Sequence, residues 1–158
     1  MKISKYLVTG GCGFIGRSLI KKLLDENPHA SIRVVDNLSS GSREDLKDVC
    51  NFKETSAELA GEMDEEGVEL VIGDIRDAPS ARQFCRGAEA IVHLAANTGV
   101  QPSISDPGSD LNHNVIGVFN YLEAARVNNV KKFVFASSGA PVGNAPPPFH
   151  EKVACRPI

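Results

Sequence analysis

Short apolar runs recur along the chain and alternate with stretches whose apolar residues lie three or four positions apart. Continuous apolar runs are typical of parallel strands covered on both faces, because such strands are buried on each side. Five runs fit this description: Lys5–Thr9, residues 32–35 ending on Asp36, and residues 70–72, 90–94 and 133–136. The pattern therefore predicts five strands.

Helical spacing fills the gaps between these runs. Apolar residues at 15, 19, 20, 23 and 24 predict a first helix that runs to about Glu26 and ends at Asn27-Pro28. A short helix is predicted over residues 78–85, and apolar positions 115, 118, 119, 122 and 125 predict a long helix ending near Asn128. Strands alternating with helices predict a Rossmann-type, doubly wound parallel α/β sheet, with the first and fourth strands adjacent at the switch point.

The remaining segments carry turn and surface signals. Residues 37–41 form a turn-rich loop, and Ser42 with Asp45 three positions later predicts the cap of a short helix. Residues 54–69 are acidic and weakly patterned, and we interpret them as a solvated surface excursion. The proline-rich tail is interpreted as a surface loop. Residues 1–158 are thus expected to form one domain, its sheet ending after about five strands and leaving an edge that a sixth strand would normally cover.

Composition narrows the class of protein. Of the 158 residues 42% are hydrophobic and 23% charged, with a formal net charge of −3, as in ordinary globular proteins. The charge and the absence of a basic stripe argue against a nucleic-acid partner. No apolar run approaches the ~20 residues of a membrane span, and no signal peptide is visible. The four cysteines lack metal-ligand spacing, so we expect reduced thiols, no metal and a soluble, cytoplasmic protein.

The segment Thr9-Gly10-Gly11-Cys12-Gly13-Phe14-Ile15-Gly16 carries the clearest chemical signal, because it joins the first predicted strand to the first predicted helix. Glycines at 10, 13 and 16 allow a sharp turn and a close approach to a phosphate group. The free N–H groups and positive dipole of the following helix favour an anion there. The segment predicts a dinucleotide-binding loop, with Cys12 as a small residue that fills it.

Asp36 closes the second predicted strand, 20 positions after Gly16. A carboxylate in that place accepts hydrogen bonds from ribose hydroxyls and repels a 2′-phosphate, so NAD is favoured over NADP. Asp36 as a turn cap is the alternative.

Other polar residues at strand ends have two interpretations each. Asp74 follows the third predicted strand and could accept a hydrogen bond from an adenine amino group beside Ile75, or cap the next turn. His93 lies inside the fourth predicted strand, where a packed core histidine is favoured over a catalytic base.

Six motifs in order give the sequence a family resemblance. They are the glycine loop, Val35-Asp36-Asn37-Leu38-Ser39-Ser40-Gly41, Gly73-Asp74-Ile75-Arg76-Asp77, His93-Leu94-Ala95-Ala96, Asn114-Val115-Ile116-Gly117 and Phe135-Ala136-Ser137-Ser138-Gly139. The chain resembles the N-terminal part of the extended short-chain dehydrogenases/reductases, and within them the NAD-dependent nucleotide-sugar epimerases and dehydratases of the UDP-glucose 4-epimerase type.

The resemblance implies a role for each matching position. Those implied to cradle the pyrophosphate are Gly10, Gly13, Phe14, Ile15 and Gly16. The adenosine ribose would be held by Asp36, Asn37 and Ser39, and the adenine by Asp74 and Ile75. The path to the nicotinamide ribose would be lined by Leu94, Ala95, Ala96 and Thr98. Ser138 matches the family's catalytic Ser/Thr, which hydrogen-bonds the reacting sugar hydroxyl; a strand-end serine bonding backbone is its alternative.

The chain departs from the family pattern in three places. Pro141-Val142-Gly143 stands where the family often has Val-Tyr-Gly, and His113 where many relatives carry Asn or Thr. The family's Tyr-x-x-x-Lys, which transfers a proton, is absent, because the residues four positions after Tyr6 and Tyr121 are Gly10 and Ala125. The chain therefore resembles an N-terminal part that lacks the C-terminal substrate-binding portion.

The function implied is that of a nucleotide-sugar 4-epimerase, in which NAD takes a hydride from sugar C4 and returns it to the other face. The full-length parent would act on a UDP-sugar and form a homodimer, and this chain alone is expected to be inactive. Two alternatives remain open. One is a dehydratase or decarboxylase, for which Glu151 is a weak candidate acid or base, and the other is a non-catalytic dinucleotide-binding module.

Overall fold

A six-stranded parallel sheet organises the chain, which the computed structural model describes over residues 3–63 and 65–156. The strands are β1 (Lys5–Thr9), β2 (Ser31–Asp36), β3 (Phe52–Thr55), β4 (Gly67–Ile72), β5 (Ala90–His93) and β6 (Lys132–Phe135). Their order is β3-β4-β2-β1-β5-β6. The predicted doubly wound fold is confirmed, and so is the adjacency of the first strand and the 90–93 strand, where Thr9 pairs with His93.

Helices connect the strands on both faces of the sheet. They are α1 (Phe14–Glu26), α2 (Arg43–Lys47), α3 (Ala78–Phe84), α4 (Val100–Ser105), α5 (Pro107–Leu111) and α6 (Val118–Val127), with 3₁₀ turns at Ala57–Leu59 and Ala140–Val142. The predicted end of α1 is confirmed, with Asn27 as its C-cap. The predicted cap of α2 is confirmed too, because Ser42 and Asp45 form a reciprocal capping box.

Two apolar clusters lie on opposite faces of the sheet, as expected for strands buried on both sides. Leu7 of β1 belongs to the cluster that packs under α3 and α6, together with Phe84 and Tyr121. The next residue, Val8, belongs to the cluster under α1 and α2, together with Ile20 and Leu46. Burial of these faces fixes the register of the central strands and thereby the position of the loops that follow them.

The interpretation of residues 54–69 as a surface excursion is wrong in part, and the sheet has six strands rather than five. β3 pairs in parallel with β4 along one edge, and β4 begins at Gly67. Between them, Ala60 and Met63 are buried in the core. The Gln83 side-chain amide donates to the carbonyls of Ala57 and Ala60 at 2.8 and 3.0 Å, so a side chain of α3 holds the backbone of this segment in place.

The predicted long helix is also different in detail. It begins as a π-helix, Asn112–Gly117, and continues as α6. A π-turn adds a residue to the turn and rotates the side chains that follow, a feature often found at functional sites. Among the described residues, no helix is long and apolar enough to cross a bilayer.

Candidate functional site

The glycine loop after β1 packs directly against the end of β5. Gly10 adopts a φ of +67°, and its N–H donates to the Val35 carbonyl at 2.9 Å. A Cβ at Gly10 would lie 2.7 Å from the Ala95 nitrogen, and one at Gly16 would lie 2.5 Å from the Gly10 carbonyl oxygen. No larger side chain fits at either position without moving backbone. The loop is therefore closed by backbone contacts that glycine alone permits.

The N-terminus of α1 opens into a cleft next to this loop. Gly13 is its N-cap and offers no side-chain cap, and the first turn carries no acidic residue. Phe14 and Ile15 are 80% and 64% exposed. The first N–H groups of a 13-residue helix thus face the cleft without a capping partner, an arrangement that favours an anion.

Asp36, the last residue of β2, lies next to the glycine loop that leads into α1. Its side chain is nearly buried, and Oδ2 accepts from the Cys12 N–H at 2.9 Å while Oδ1 accepts from the Leu38 N–H at 2.8 Å. Each carboxylate oxygen can accept more than one hydrogen bond, so the carboxylate keeps acceptor capacity toward the cleft. Asp36 therefore anchors the turn and also lines the cleft, and its contact with a ribose stays a prediction.

The cleft has a volume of about 650 Å³ and gathers most of the predicted cofactor residues. Those that line it are Gly10, Gly13, Phe14, Ile15, Gly16, Asp36, Asn37, Ser39, Ile75, Leu94, Ala95, Ala96 and Thr98. Sequence reasoning did not select seven further lining residues, namely Val35, Ser40, Gly41, Gly73, Asn97, His113 and Ala136. Five of these lie within a quoted motif, and Asn97 and His113 directly adjoin one, which was the signal available. His113 reaches the cleft from the π-helix, with Nδ1 2.7 Å from the Ser109 carbonyl oxygen.

Asp74 is the one predicted cofactor residue that does not line the cleft. Its carboxylate accepts from Arg76 Nε at 2.9 Å and from Arg76 Nη2 at 2.6 Å. This hydrogen bonding lowers the pKa of Asp74 below its usual value. In the structure Asp74 pairs with a guanidinium, and its contact with adenine stays a prediction.

A second cleft of about 720 Å³ lies beside the first and contains Ser138. The Ser138 side chain is exposed, and its Oγ accepts from the Ala140 N–H at 3.1 Å. Residues 94–98 line both clefts, so one short segment is shared between the cleft of Ser138 and the cleft of the predicted cofactor residues. We call residues 94–98 the partition segment.

Several reactive residue types near the clefts are buried and inert. Burial raises the pKa of the Cys12 thiol to about 12, which agrees with its interpretation as a small loop filler. Burial lowers the pKa of His93 to about 4, and the ring is 1% exposed beside Tyr121. The structure thus places His93 in the core, as favoured from the sequence. The described part of the chain brings no three His, Cys, Asp or Glu side chains into a group that could hold a metal ion.

Comparison with protein families gives a match over almost the whole chain. Residues 6–158 match the family described as "NAD dependent epimerase/dehydratase family". Among curated relatives, the dTDP-glucose 4,6-dehydratase of Mycobacterium tuberculosis is 37% identical over 128 residues, 80% of this chain. The UDP-glucose 4-epimerase of Mycolicibacterium smegmatis is 38% identical over 144 residues, 90% of this chain.

Comparison with solved structures finds the same class of protein. The UDP-glucose 4-epimerase of Brucella ovis, in complex with NAD, superimposes with a TM-score of 0.79 at 28% identity and covers 98% of this chain. The chain spans 42% of that structure, and 34% and 41% of the two curated relatives. The similarity therefore covers 80–98% of this chain but less than half of each relative.

Proposed function

The chain belongs to the NAD dependent epimerase/dehydratase family, and we propose that it is the NAD-binding part of a nucleotide-sugar 4-epimerase acting on a UDP-sugar. The observation that carries the proposal is the first cleft, where an uncapped helix N-terminus and a glycine cradle face the carboxylate of Asp36. One end suits a pyrophosphate and the other suits ribose hydroxyls. Both fall within a single cavity of about 650 Å³.

The residues present fit NAD. Gly10 and Gly16 let the loop close tightly against Ala95 and α1, where a Cβ would meet backbone. The uncapped first turn of α1 beside this loop would receive a pyrophosphate. Asp36 would accept from the adenosine ribose and disfavour a 2′-phosphate. The small side chains of Ala95 and Ala96 would let the nicotinamide ribose lie against the end of β5. When bound, NAD supplies a hydride acceptor and donor.

Ser138 is proposed to hydrogen-bond the reacting hydroxyl of the sugar. Its oxygen already accepts from the Ala140 N–H, so its proton is available for a substrate oxygen. The second cleft, where Ser138 lies, shares the partition segment with the first, which would place a sugar next to the nicotinamide.

A 4,6-dehydratase is the second candidate, because the Mycobacterium tuberculosis dehydratase is as similar to the chain as the epimerase is. Dehydration needs further acid and base groups beside the serine. After Gly139 the sequence has one carboxylate, Glu151, and that residue is exposed. This favours epimerase chemistry. A non-catalytic dinucleotide-binding module is the third alternative.

Titration with NAD and NADP tests the cofactor part of the proposal. We expect NAD to raise the midpoint of thermal unfolding and to bind at least about tenfold more tightly than NADP in calorimetry. In Asp36→Asn the loss of a charged acceptor should weaken NAD binding roughly tenfold and reduce the preference over NADP to about threefold. Absence of a shift with either nucleotide would contradict NAD binding, and tighter binding of NADP would contradict the role of Asp36.

Asp45→Asn is the matched control. Asp45 also accepts hydrogen bonds from backbone and side chains, at the cap of α2, but it does not line the cleft. Its replacement should lower stability without changing the ratio of NAD to NADP affinity.

A further inference from the structure

The partition segment is held in place by a small polar network behind it. The Asn97 N–H donates to Asn114 Oδ1 at 2.8 Å, and Asn114 Nδ2 donates back to the Asn97 carbonyl at 2.9 Å. The side-chain amide of Asn114 therefore pairs with the backbone of Asn97 as a neighbouring strand would. This pairing fixes the path of the chain between the two clefts, since Asn97 lines both of them.

One oxygen atom organises this network. Asp110 Oδ1 accepts from Asn114 Nδ2 at 2.9 Å, from Asn97 Nδ2 at 3.3 Å and from Ser103 Oγ at 2.8 Å. The carboxylate thus joins the π-helix, the partition segment and α4. It also sets the orientation of the Asn114 amide, because a negatively charged oxygen attracts the NH₂ group and leaves the amide oxygen facing the Asn97 N–H.

The position of Asp110 separates it from the part of the cleft that suits adenosine. Asp110 lines the second cleft and not the first, whereas Asp36 lies at the end of β2. β1 lies between β2 and β5 in the sheet, and the partition segment follows β5. A disturbance of the Asp110 network should therefore reach the nicotinamide side of a bound dinucleotide and leave the adenosine side unchanged.

We propose that Asp110 is a positioning residue that holds the partition segment in the geometry required by the nicotinamide half of NAD. The inference rests on the proposed function of the first cleft. Asp110 acts through Asn97 and Asn114 and does not itself touch the cofactor.

The test compares two ligands, NAD and ADP, which is NAD without the nicotinamide riboside. In Asp110→Ala all three donors lose the Oδ1 acceptor, and we expect NAD affinity measured by calorimetry to fall about tenfold while ADP affinity stays within about twofold. In Asp110→Asn the Oδ1 acceptor remains, so NAD affinity should return to within about threefold of the wild type. If Asp110 had a merely structural role, the affinities for both ligands would fall by similar factors.

Asp106→Ala is the matched control. Asp106 caps α5 through a hydrogen bond from the Ser109 N–H at 2.9 Å, four residues before Asp110, and lines neither cleft. The Asp106→Ala substitution should lower the free energy of unfolding without selectively weakening the affinity for NAD. If Asp110→Ala does not fold, Asp110→Ser, whose hydroxyl is too short to reach the three donors, gives the same comparison.

The outcomes separate the two proposals. If the wild-type protein binds neither ligand, both the proposed function and the role of Asp110 are overturned. Wild-type protein that binds both ligands, with Asp110→Ala weakening both equally or neither, overturns the role of Asp110 alone. The same selective loss in Asp106→Ala would also overturn it.

Discussion

His93 is a buried imidazole with a defined hydrogen-bond state. Thr9 Oγ1 accepts from the backbone N–H groups of Leu94 and Ala95, each at 3.2 Å, so its proton points to His93 Nδ1 at 3.1 Å. The ring is then neutral with its proton on Nε2, an atom for which the described residues provide no partner. Protonation of Nδ1 would break this arrangement in addition to placing a charge in the core.

Acid should therefore destabilise the fold through His93. Burial lowers its pKa from 6.5 to about 4, so the unfolded chain binds a proton that the folded chain does not. The stabilisation is complete above pH 6.5 and is lost as the pH falls toward 4, on the order of 3 kcal/mol in the free energy of unfolding. Urea unfolding followed by circular dichroism between pH 7 and pH 4 measures this loss.

Two variants assign the loss to His93. His93→Asn should unfold more easily at pH 7 but show a flatter decline over the same range. His29→Asn should keep the wild-type decline, because His29 lies exposed at the surface, where it pairs with Glu66, and not in the core. Glu89, whose pKa is lowered to about 2 chiefly by the Lys131 hydrogen bond, loses its stabilisation below about pH 4.5 and affects a more acidic range. An unchanged decline in His93→Asn would contradict the assignment.

At the residue scale, sequence reasoning identified groups that follow a strand directly. Asp36 and the glycines of the loop were predictable, because the backbone geometry of a strand-to-helix turn restricts which residues can stand there. His113 and Asp110 were not, since each reaches its place through the π-helix or the short helix before it. A change of one residue in the helical turn decides which side chain faces the cleft, and spacing alone does not reveal it.

At the element scale, the contact between the glycine loop and α1 gives a stability prediction. A Cβ at Gly16 would lie 2.5 and 2.6 Å from backbone atoms of Gly10 and Gly11, so the helix would have to move away from the loop. We expect Gly16→Ala to lower the free energy of unfolding by about 1–3 kcal/mol and to weaken NAD binding, because the helix N-terminus shifts relative to the loop.

The control for this prediction is Gly61→Ala. A Cβ at Gly61 would meet no atom within 4 Å, so the free energy of unfolding should change by about 0.5 kcal/mol or less. Denaturant unfolding of the three proteins checks both statements, and equal stability of Gly16→Ala and wild type would show that the helix tolerates the displacement.

Elements with a buried apolar face were predictable, and β3 was not. Of its four residues only Phe52 is apolar, while Lys53 and Glu54 are exposed. An edge strand is held by backbone hydrogen bonds to its neighbour, and charged side chains are common there because they discourage further pairing. The acidic composition that suggested a surface excursion is therefore compatible with a strand at the edge of the sheet.

At the scale of the whole molecule, the candidate site lies along one edge of the sheet. Gly10 follows β1, Asp36 ends β2, Gly73 follows β4, the partition segment follows β5, and Ser138 comes after β6. Parallel strands bring their carboxyl ends to the same edge, and ligands of such sheets bind where the strand order reverses. The alternation of strand and helix signals was therefore enough to predict where the cleft lies, although not how the second cleft adjoins it.

The same view of the molecule predicts that the chain binds NAD without turnover. The Tyr6 hydroxyl donates to the Ile3 carbonyl at 2.9 Å, near the start of β1 and thus at the opposite end of the parallel strands from Ser138. Tyr121 is fully buried, and this burial raises its pKa well above 10. Neither phenol lines either cleft, so neither can exchange a proton with a sugar beside Ser138. We expect no interconversion of UDP-glucose and UDP-galactose above a buffer blank, with the Mycolicibacterium smegmatis epimerase assayed in parallel as the positive control. A turnover rate comparable to that of the control enzyme would mean that another group in the chain performs the proton transfer. In Ser138→Ala we expect NAD affinity to be retained, which would separate the role of the serine from that of the cofactor cleft.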